Sequence, residues 1–255
     1  MARFKAVSHE DRLSLVDHLD ELRTRIVVSV AVFVVAFGLC FWQSDLLIDL
    51  AKAPLPNDHD QFITFGVAEP FTTTVTICAY GALILALPII LYQLYAYVLP
   101  AFSAAERRAI LPLLLFIPVL FVVGIVFAYF VVMPAATKFL LHFNQGQFNI
   151  QLRARDYFGF FGITLLAVGL IFQLPVAVVG ATRIGVISPA QLRQYRRYAY
   201  FALAVVAAAL PGVDPMTMIL ETIPLLLLYE LSIVLARAFG QPASGALSEP
   251  STQEH

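Results

Sequence analysis

Charged residues are scarce in this sequence. Asp, Glu, Lys and Arg make up only 13% of its 255 residues, whereas 60% are hydrophobic. A soluble domain of this size carries about a quarter charged residues. The composition therefore excludes an ordinary soluble protein and predicts an all-α, multi-pass membrane protein with nearly all of its chain in the bilayer.

Signatures of catalysis and of cofactor binding are also absent. The sequence contains no H-E-x-x-H, G-x-S-x-G or G-x-x-x-x-G-K motif, and its five His are scattered. Its two cysteines, Cys40 and Cys78, lie in apolar runs and have no metal-ligand spacing, so we interpret them as small hydrophobic side chains. An enzyme, a cofactor and a metal site are not expected. A cleavable signal peptide is not expected either, because the segment before Ile26 is too long and too charged.

Six apolar stretches separate the charged segments, and each is a candidate membrane span. We expect these spans at about 26–42, 71–95, 110–133, 157–179, 198–210 and 216–235. Together they form a transmembrane domain over 26–237, between an amphipathic N-terminal segment (1–25) and a tail (238–255) that we expect to be disordered. The fifth stretch is short, and the sixth contains Glu221 and Glu230. Both spans would match a locally thinned bilayer, or they would keep these two acids away from lipid.

The distribution of positive charge predicts the orientation. Twelve of the 16 Lys and Arg residues fall on one side of the six spans, including both ends of the chain. By the positive-inside rule this side is cytoplasmic, so we expect both termini in the cytoplasm. Prolines lie within four of the spans and tend to kink helices, which predicts a concave wall of helices. These prolines are Pro88, Pro112, Pro118, Pro175 and Pro224.

Two long segments between spans are expected on the side of the membrane opposite to the cytoplasm. The segment 45–69 ends at Glu69, followed by Pro70 and Phe71. Pro70 suits the first turn of a helix, and Glu69 suits the positive end of that helix. The segment 134–156 is expected to be a loop long enough to fold as a cap.

A charged collar, Asp17–Arg25, precedes the first span. Apolar residues recur every three or four positions on one face of the predicted helix, while acids lie on the other, with Glu21 and Arg25 placed to pair. We expect this collar to lie along the bilayer surface and then to turn into the membrane. It either presents carboxylates at the mouth of the protein or acts only as a solvated anchor.

Two further polar residues are candidates for function. Gln173 lies in the middle of the fourth span and either bonds to a neighbouring helix or lines a groove. Glu106 lies before the third span, where Ser103 and Glu106 form an S-x-x-E capping box. Glu106 therefore either caps a helix or contributes to a site.

Seven motifs occur in order along the chain. They are HLDELRTR (18–25), AEPF (68–71), YVLPAFSAAERR (97–108), AYFVVMP (128–134), IFQLPVAVV (171–179), SPAQLRQYRRY (188–198) and PGVDPMTM (211–218). On six predicted spans with both ends inside, this series resembles the TatC family, the multispanning core of the twin-arginine protein translocase.

The resemblance implies a function and a set of site residues. TatC proteins bind signal peptides that carry two consecutive arginines, and they help to pass folded proteins across the bacterial cytoplasmic membrane by means of the proton-motive force. By resemblance, the signal-binding patch comprises Glu21 and Glu106, with Arg23 to orient it and Tyr97 where the family often has Phe. Residues expected to contact partners or line the groove are Gln173, Asp214, Pro70 and Phe71.

The resemblance also implies partners. These are TatA- and TatB-type single-span membrane proteins, further copies of the chain and the lipid bilayer; a nucleic acid is not expected. Many family members have Glu at the position of Gln173, and because Gln cannot titrate, a proton-linked role at this position has no support here.

Two other classes of function have weaker support in the sequence. A small-solute or ion-coupled transporter would use Gln173, Glu221 and Glu230, but the sequence has neither the internal repeats nor the Gly-rich half-helices of such proteins. An intramembrane enzyme lacks a recognisable nucleophile and base.

Overall fold

The structure is a computed structural model, and within the residues it describes the chain is helical apart from two very short strands. It describes residues 9–56, 61–98, 104–144, 146–147, 150–183, 186–210 and 214–239, without the side chains of 9–17, 98, 104–115 and 239. The helices before the midpoint are α1 (His9–Trp42), α2 (Ser44–Lys52), α3 (Glu69–Val98), α4 (Ala104–Phe127) and α5 (Met133–His142). The later helices are α6 (Ala154–Ile171), α7 (Leu174–Arg183), α8 (Pro189–Gln194), α9 (Arg196–Ala209) and α10 (Pro215–Phe239).

Five helical stretches of the described residues are long and apolar enough to cross a membrane. They are His18–Trp42, Glu69–Tyr97, Phe116–His142, Ala154–Arg183 and Pro215–Ala238. The predicted fifth span corresponds to α9, which has only 14 residues. At about 1.5 Å per residue, a helix of this length falls well short of the hydrocarbon core.

The charged collar and the first span form one continuous helix. α1 runs from His9 to Trp42 without interruption. No Gly or Pro occurs between His9 and Phe37, so nothing in the sequence breaks the helical hydrogen bonding. The expectation of a bend between collar and span was therefore wrong.

The third span also extends further than expected. A π-helical turn, Ala128–Val132, follows α4, and the Met133 N–H donates to the carbonyl of Ala128, five residues back. α5 begins directly after this turn, with Pro134 in its first turn, where a missing N–H is tolerated. The helix therefore continues to His142, and the expectation of a loop starting at Pro134 was wrong.

The fourth predicted span is divided in two. α6 ends at Ile171 and α7 begins at Leu174, with a turn at Phe172 and Gln173 between them. Pro175 has no N–H to donate to the carbonyl of Ile171, so the backbone cannot continue as an unbroken α-helix here. The break places the polar side chain of Gln173 inside the protein.

Packing connects the helices in two hydrophobic clusters. α1 packs on α3, α3 and α4 pack on α6, and α10 packs on both α7 and α9. Cys40 and Cys78 are buried in the first cluster, where the Cys78 thiol lies 3.5 Å from the Cys40 carbonyl oxygen. Both cysteines are free, which confirms their interpretation as small buried side chains.

A pair of strands joins the segments before α3 and α6. β1 (Phe62–Ile63) runs parallel to β2 (Leu152–Arg153), with Phe62 opposite Leu152. The ring of Phe62 packs against Tyr157 and Phe158 at centroid distances of 5.4 and 5.0 Å. This pairing holds the two segments together at one end of the helices.

Candidate functional site

Glu21 is held in place by an arginine one helical turn away. Arg25 Nη2 lies 2.5 Å and Nε 3.1 Å from Glu21 Oε1, which confirms the predicted pairing. The same guanidinium donates through Nη1 to Gln93 Oε1 on α3 at 3.0 Å. Arg25 therefore fixes the Glu21 carboxylate and connects α1 to α3.

An aromatic stack forms a second connection between the same two helices. The rings of His18 and Tyr97 lie 4.4 Å apart between centroids and are inclined by 18°. His18 lies one turn before Glu21 on α1, and Tyr97 lies one turn after Gln93 on α3. The structure thus brings Tyr97 to the Glu21 surface, and we call Glu21, Arg25, Gln93, His18 and Tyr97 the α1–α3 patch.

Among the described side chains, only Arg25 donates to the Glu21 carboxylate. Both hydrogen bonds from Arg25 end on Oε1, and no described side chain donates to Oε2. The side chain of Glu21 is 34% exposed. A carboxylate in this state can accept further hydrogen bonds from a cation, and a guanidinium is suited to this because its donors form a planar fork.

Glu106 and Arg23 are the other two residues predicted for the signal-binding patch. Glu106 lies in the first turn of α4, and its side chain is outside the described residues, as is Ser103 of the predicted capping box. Six Cα steps connect the end of α3 to the start of α4 and span about 20 Å at most, which limits how far Glu106 can lie from Tyr97. Arg23 is exposed and lies two residues from Glu21, nearly on the opposite side of α1, so the contact with Glu21 is made by Arg25.

An ion pair between a buried carboxylate and a partly exposed arginine lies at the other end of α3. Glu69 begins the helix with Pro70 in its first turn, as predicted, and accepts hydrogen bonds from the backbone N–H groups of Phe65 and Gly66 at 2.9 and 3.3 Å. Arg153 Nε lies 2.6 Å from the Glu69 Oε1, and this carboxylate raises the pKa of the guanidinium. Glu69 therefore joins α3 to the strand before α6, while Phe71 remains 66% exposed.

Gln173 is buried at the break between α6 and α7. Its Nε2 donates to the Ile117 carbonyl on α4 at 3.0 Å, whereas its Oε1 has no hydrogen-bond partner among the described residues. The amide therefore bonds to a neighbouring helix, one of the two roles considered for it. The unpaired oxygen leaves one hydrogen bond unmade at this position.

Three acids belong to α10 or its start, and each has a different environment. Asp214 is buried and caps the helix by accepting from the backbone N–H of Thr217 at 2.8 Å and from its hydroxyl at 2.5 Å. Glu230 accepts from Arg196 and from the hydroxyl of Tyr200, each at 2.5 Å. Glu221 is buried, and neither of its carboxylate oxygens has a partner among the described residues.

Sequence reasoning missed several of these contacts. His18 belongs to the collar, but nothing local indicated that it would stack on Tyr97. The contact of Gln93 with Arg25 could not be predicted, because an isolated Gln in an apolar span has many interpretations. The Glu69–Arg153 pair joins residues 84 positions apart, and only knowledge of the strand pairing would have indicated it.

The fold and the site together define an all-helical, multi-pass membrane protein with a charged patch at the end of its first two long helices. The family model for "Sec-independent protein translocase protein (TatC)" matches residues 17–224. This chain belongs to the TatC family.

Curated relatives match along most of the chain. The TatC protein of Aquifex aeolicus is 36% identical over 229 residues, which cover 88% of this chain and 95% of the relative. The TatC protein of Magnetococcus marinus is 35% identical over 231 residues, or 89% of this chain and 85% of the relative. A chloroplastic TATC of Oryza sativa is 37% identical over 221 residues, or 86% of this chain and 62% of that longer protein.

Solved structures agree with these relatives. A crystal structure of the "twin arginine translocase receptor" TatC matches with a TM-score of 0.73 and 35% identity, covering 87% of this chain and 99% of that one. A second TatC structure, in DDM, matches with a TM-score of 0.75 over 88% of this chain. The alternative of a small-solute transporter is not favoured by these similarities.

Proposed function

We propose that this chain is the signal-peptide receptor and core subunit of a twin-arginine translocase in the bacterial cytoplasmic membrane. It binds signal peptides with two consecutive arginines and, with TatA- and TatB-type single-span proteins, moves folded proteins across the membrane. The proton-motive force drives this transport. The observation that supports this proposal most directly is the partly exposed Glu21 carboxylate, positioned by Arg25 through Oε1, with no donor to Oε2 among the described side chains.

The two arginines of a signal peptide are bound by two carboxylates. Glu21 accepts one guanidinium beside the His18–Tyr97 stack, and Glu106, in the first turn of the next long helix, accepts the other. A guanidinium presents a planar fork of donors that can bond to Oε2 of Glu21 while Oε1 holds Arg25, whereas a lysine ammonium is a point charge without such a fork. This difference explains why a pair of arginines, and not simply two positive charges, forms the signal.

The proposal includes an arrangement of the chain in the membrane. Six spans cross the membrane, with α9 as a short fifth span, and both termini lie in the cytoplasm. Prolines within α3 and α10, together with the break between α6 and α7, favour a concave wall along which the apolar part of the signal peptide lies. Residues 9–25 form the cytoplasmic lip, and most of the tail 238–255, which lies outside the described residues beyond 239, is dispensable for transport.

The partner contacts are assigned to the remaining site residues. Phe71 and Pro70 are exposed at the start of α3 and are available to a partner's transmembrane helix. The amide oxygen of Gln173 has no partner among the described residues but is buried, so a partner's donor would reach it only if the break between α6 and α7 opened. Asp214 shapes the start of α10, and further copies of the chain join the complex.

Export of a twin-arginine substrate tests this function. Replacing Glu21 by Ala, or Glu106 by Ala, is expected to abolish export while the protein remains inserted in the membrane. Asp20→Ala is the matched control, because Asp20 is the exposed neighbour of Glu21 on the same helix and its side chain is not part of the patch. Normal export by the double variant of Glu21 and Glu106 would refute the proposal.

A further inference from the structure

An apolar groove lies on the side of the protein formed by the last four helices. α7 and α9 both pack against α10, and a groove of about 510 Å³ remains between them. Its lining includes Leu174 and Val178 from α7, Ala202 and Leu203 from α9, Leu192 from α8 and Tyr229 from α10. This volume falls within the range of about 300–1,000 Å³ that is typical of small-ligand sites.

The charged residues assign one end of the groove to the level of the lipid headgroups. Arg183 ends α7 and Arg196 begins α9, so the spanning parts of both helices start from this end. Tyr195 and Tyr198, which line the groove here, are 52% and 59% exposed. Tyrosines with one wet and one apolar side are typical of the membrane interface.

Positive charge is concentrated at the same end. Arg197 lies over the Tyr198 ring, with its Cζ 5.1 Å from the ring centroid, and is therefore held at the rim of the groove. Arg193 is exposed beside the lining residue Leu192. Among the described residues, Glu230 is the acid of this region, and it is already occupied by Arg196 and Tyr200, so it does not neutralise Arg193 or Arg197.

We propose that this groove binds one acyl chain of an anionic glycerophospholipid, whose phosphate is held by Arg193 and Arg197. The apolar lining accepts methylene groups, and the rim supplies two guanidinium forks for phosphate oxygens. A helix with its side chains is about 10–12 Å across and could place only part of one face in a groove of this volume, whereas an acyl chain fits within it. The site goes beyond signal-peptide binding and shares no residue with the α1–α3 patch.

Native mass spectrometry of the detergent-purified protein tests this proposal. Delipidated protein is titrated with phosphatidylglycerol or with phosphatidylcholine of the same acyl chains, and bound lipid is counted. The unaltered protein is expected to bind more phosphatidylglycerol than phosphatidylcholine. The double variant R193Q/R197Q is expected to bind it roughly 25-fold more weakly, since each arginine near a membrane surface contributes about a fivefold factor.

Three further variants keep the result interpretable. Replacing both arginines by lysine retains the charge and should preserve most of the preference. Ala202→Phe fills the groove and should lower binding of both lipids, and Arg155→Gln, an exposed arginine at the opposite end of the chain's spans, should change neither. The proposal is overturned if R193Q/R197Q or A202F binds phosphatidylglycerol like the unaltered protein. It is also overturned if R155Q causes the same loss, or if A202F removes only a co-purifying protein partner.

Discussion

The ring of His18 stacks on the ring of Tyr97, 79 positions further along the chain, at a centroid distance of 4.4 Å. One turn along both helices, Arg25 joins Glu21 to Gln93. These contacts hold α1 against α3 where the Glu21 carboxylate is presented. The proposed binding surface is therefore a tertiary feature and not a property of the charged collar alone.

The stack predicts the behaviour of Tyr97 variants. Tyr97→Phe keeps the ring and should bind a twin-arginine signal peptide like the unaltered protein. Tyr97→Ala should bind it about 2- to 10-fold more weakly, since an aromatic pair contributes about 0.5–1.5 kcal/mol. Signal-peptide affinity in detergent measures this effect. Tyr92→Ala removes an exposed ring from the same helix and serves as control; an equal loss in that variant would contradict the assignment.

The Glu69–Arg153 pair predicts a difference between two neighbouring arginines. Arg153→Gln removes the side-chain partner of a buried carboxylate and should lower the thermal unfolding temperature in detergent. Arg155→Gln alters an exposed residue two positions away and should leave that temperature unchanged. Equal unfolding temperatures for the two variants would show that the pair does not stabilise the fold.

The close approach of α3 and α6 predicts a strong effect of one added methyl group. A Cβ at Gly162 would overlap the Tyr80 side chain, whereas a Cβ at Gly159, one turn earlier, would meet nothing within 4 Å. Gly162→Ala should therefore destabilise the protein by about 1–3 kcal/mol. Gly159→Ala should be neutral or stabilising by up to about 1 kcal/mol. Unfolding in a denaturing detergent distinguishes the two, and equal stability would contradict the described packing.

Gln173 offers a test between its two predicted roles. Gln173→Leu removes one hydrogen bond to α4, worth about 1 kcal/mol, but also removes an unpaired buried oxygen, so the net change in stability should be small. If the amide oxygen accepts a donor from a partner helix, the same variant should reduce co-purification of TatB-type protein. Reduced stability with normal co-purification would instead assign Gln173 to internal packing.

Local patterns explain why part of this structure was predictable. The Glu21–Arg25 pair follows from i,i+4 spacing, and the start of α3 follows from Glu69 and Pro70, because both depend on neighbours in the chain. The composition likewise predicted an all-helical membrane protein. The ion pair and the helix start each depend on residues of a single helix, and the fold class depends only on composition.

The remaining features depend on contacts that the sequence does not reveal. The π-helical turn before Pro134 allows α5 to extend the third span, although proline there suggested a loop. The pairing of His18 with Tyr97, and of Glu69 with Arg153, depends on which helices pack together. Long-range contacts of this kind, and not a local sequence motif, bring the residues of the α1–α3 patch together.

The most direct test of the central claim is site-specific crosslinking of a twin-arginine signal peptide in membranes. A photoreactive group is placed at Thr24, exposed one turn from Glu21 on α1, and at Ala105 on α4, which leaves Glu21 and Glu106 intact. The proposal predicts crosslinks from both helices to the peptide, and their loss when the two arginines of the peptide are replaced by lysines. Crosslinks that persist with the lysine peptide, or that form from only one of the two helices, would contradict recognition of an arginine pair by two carboxylates.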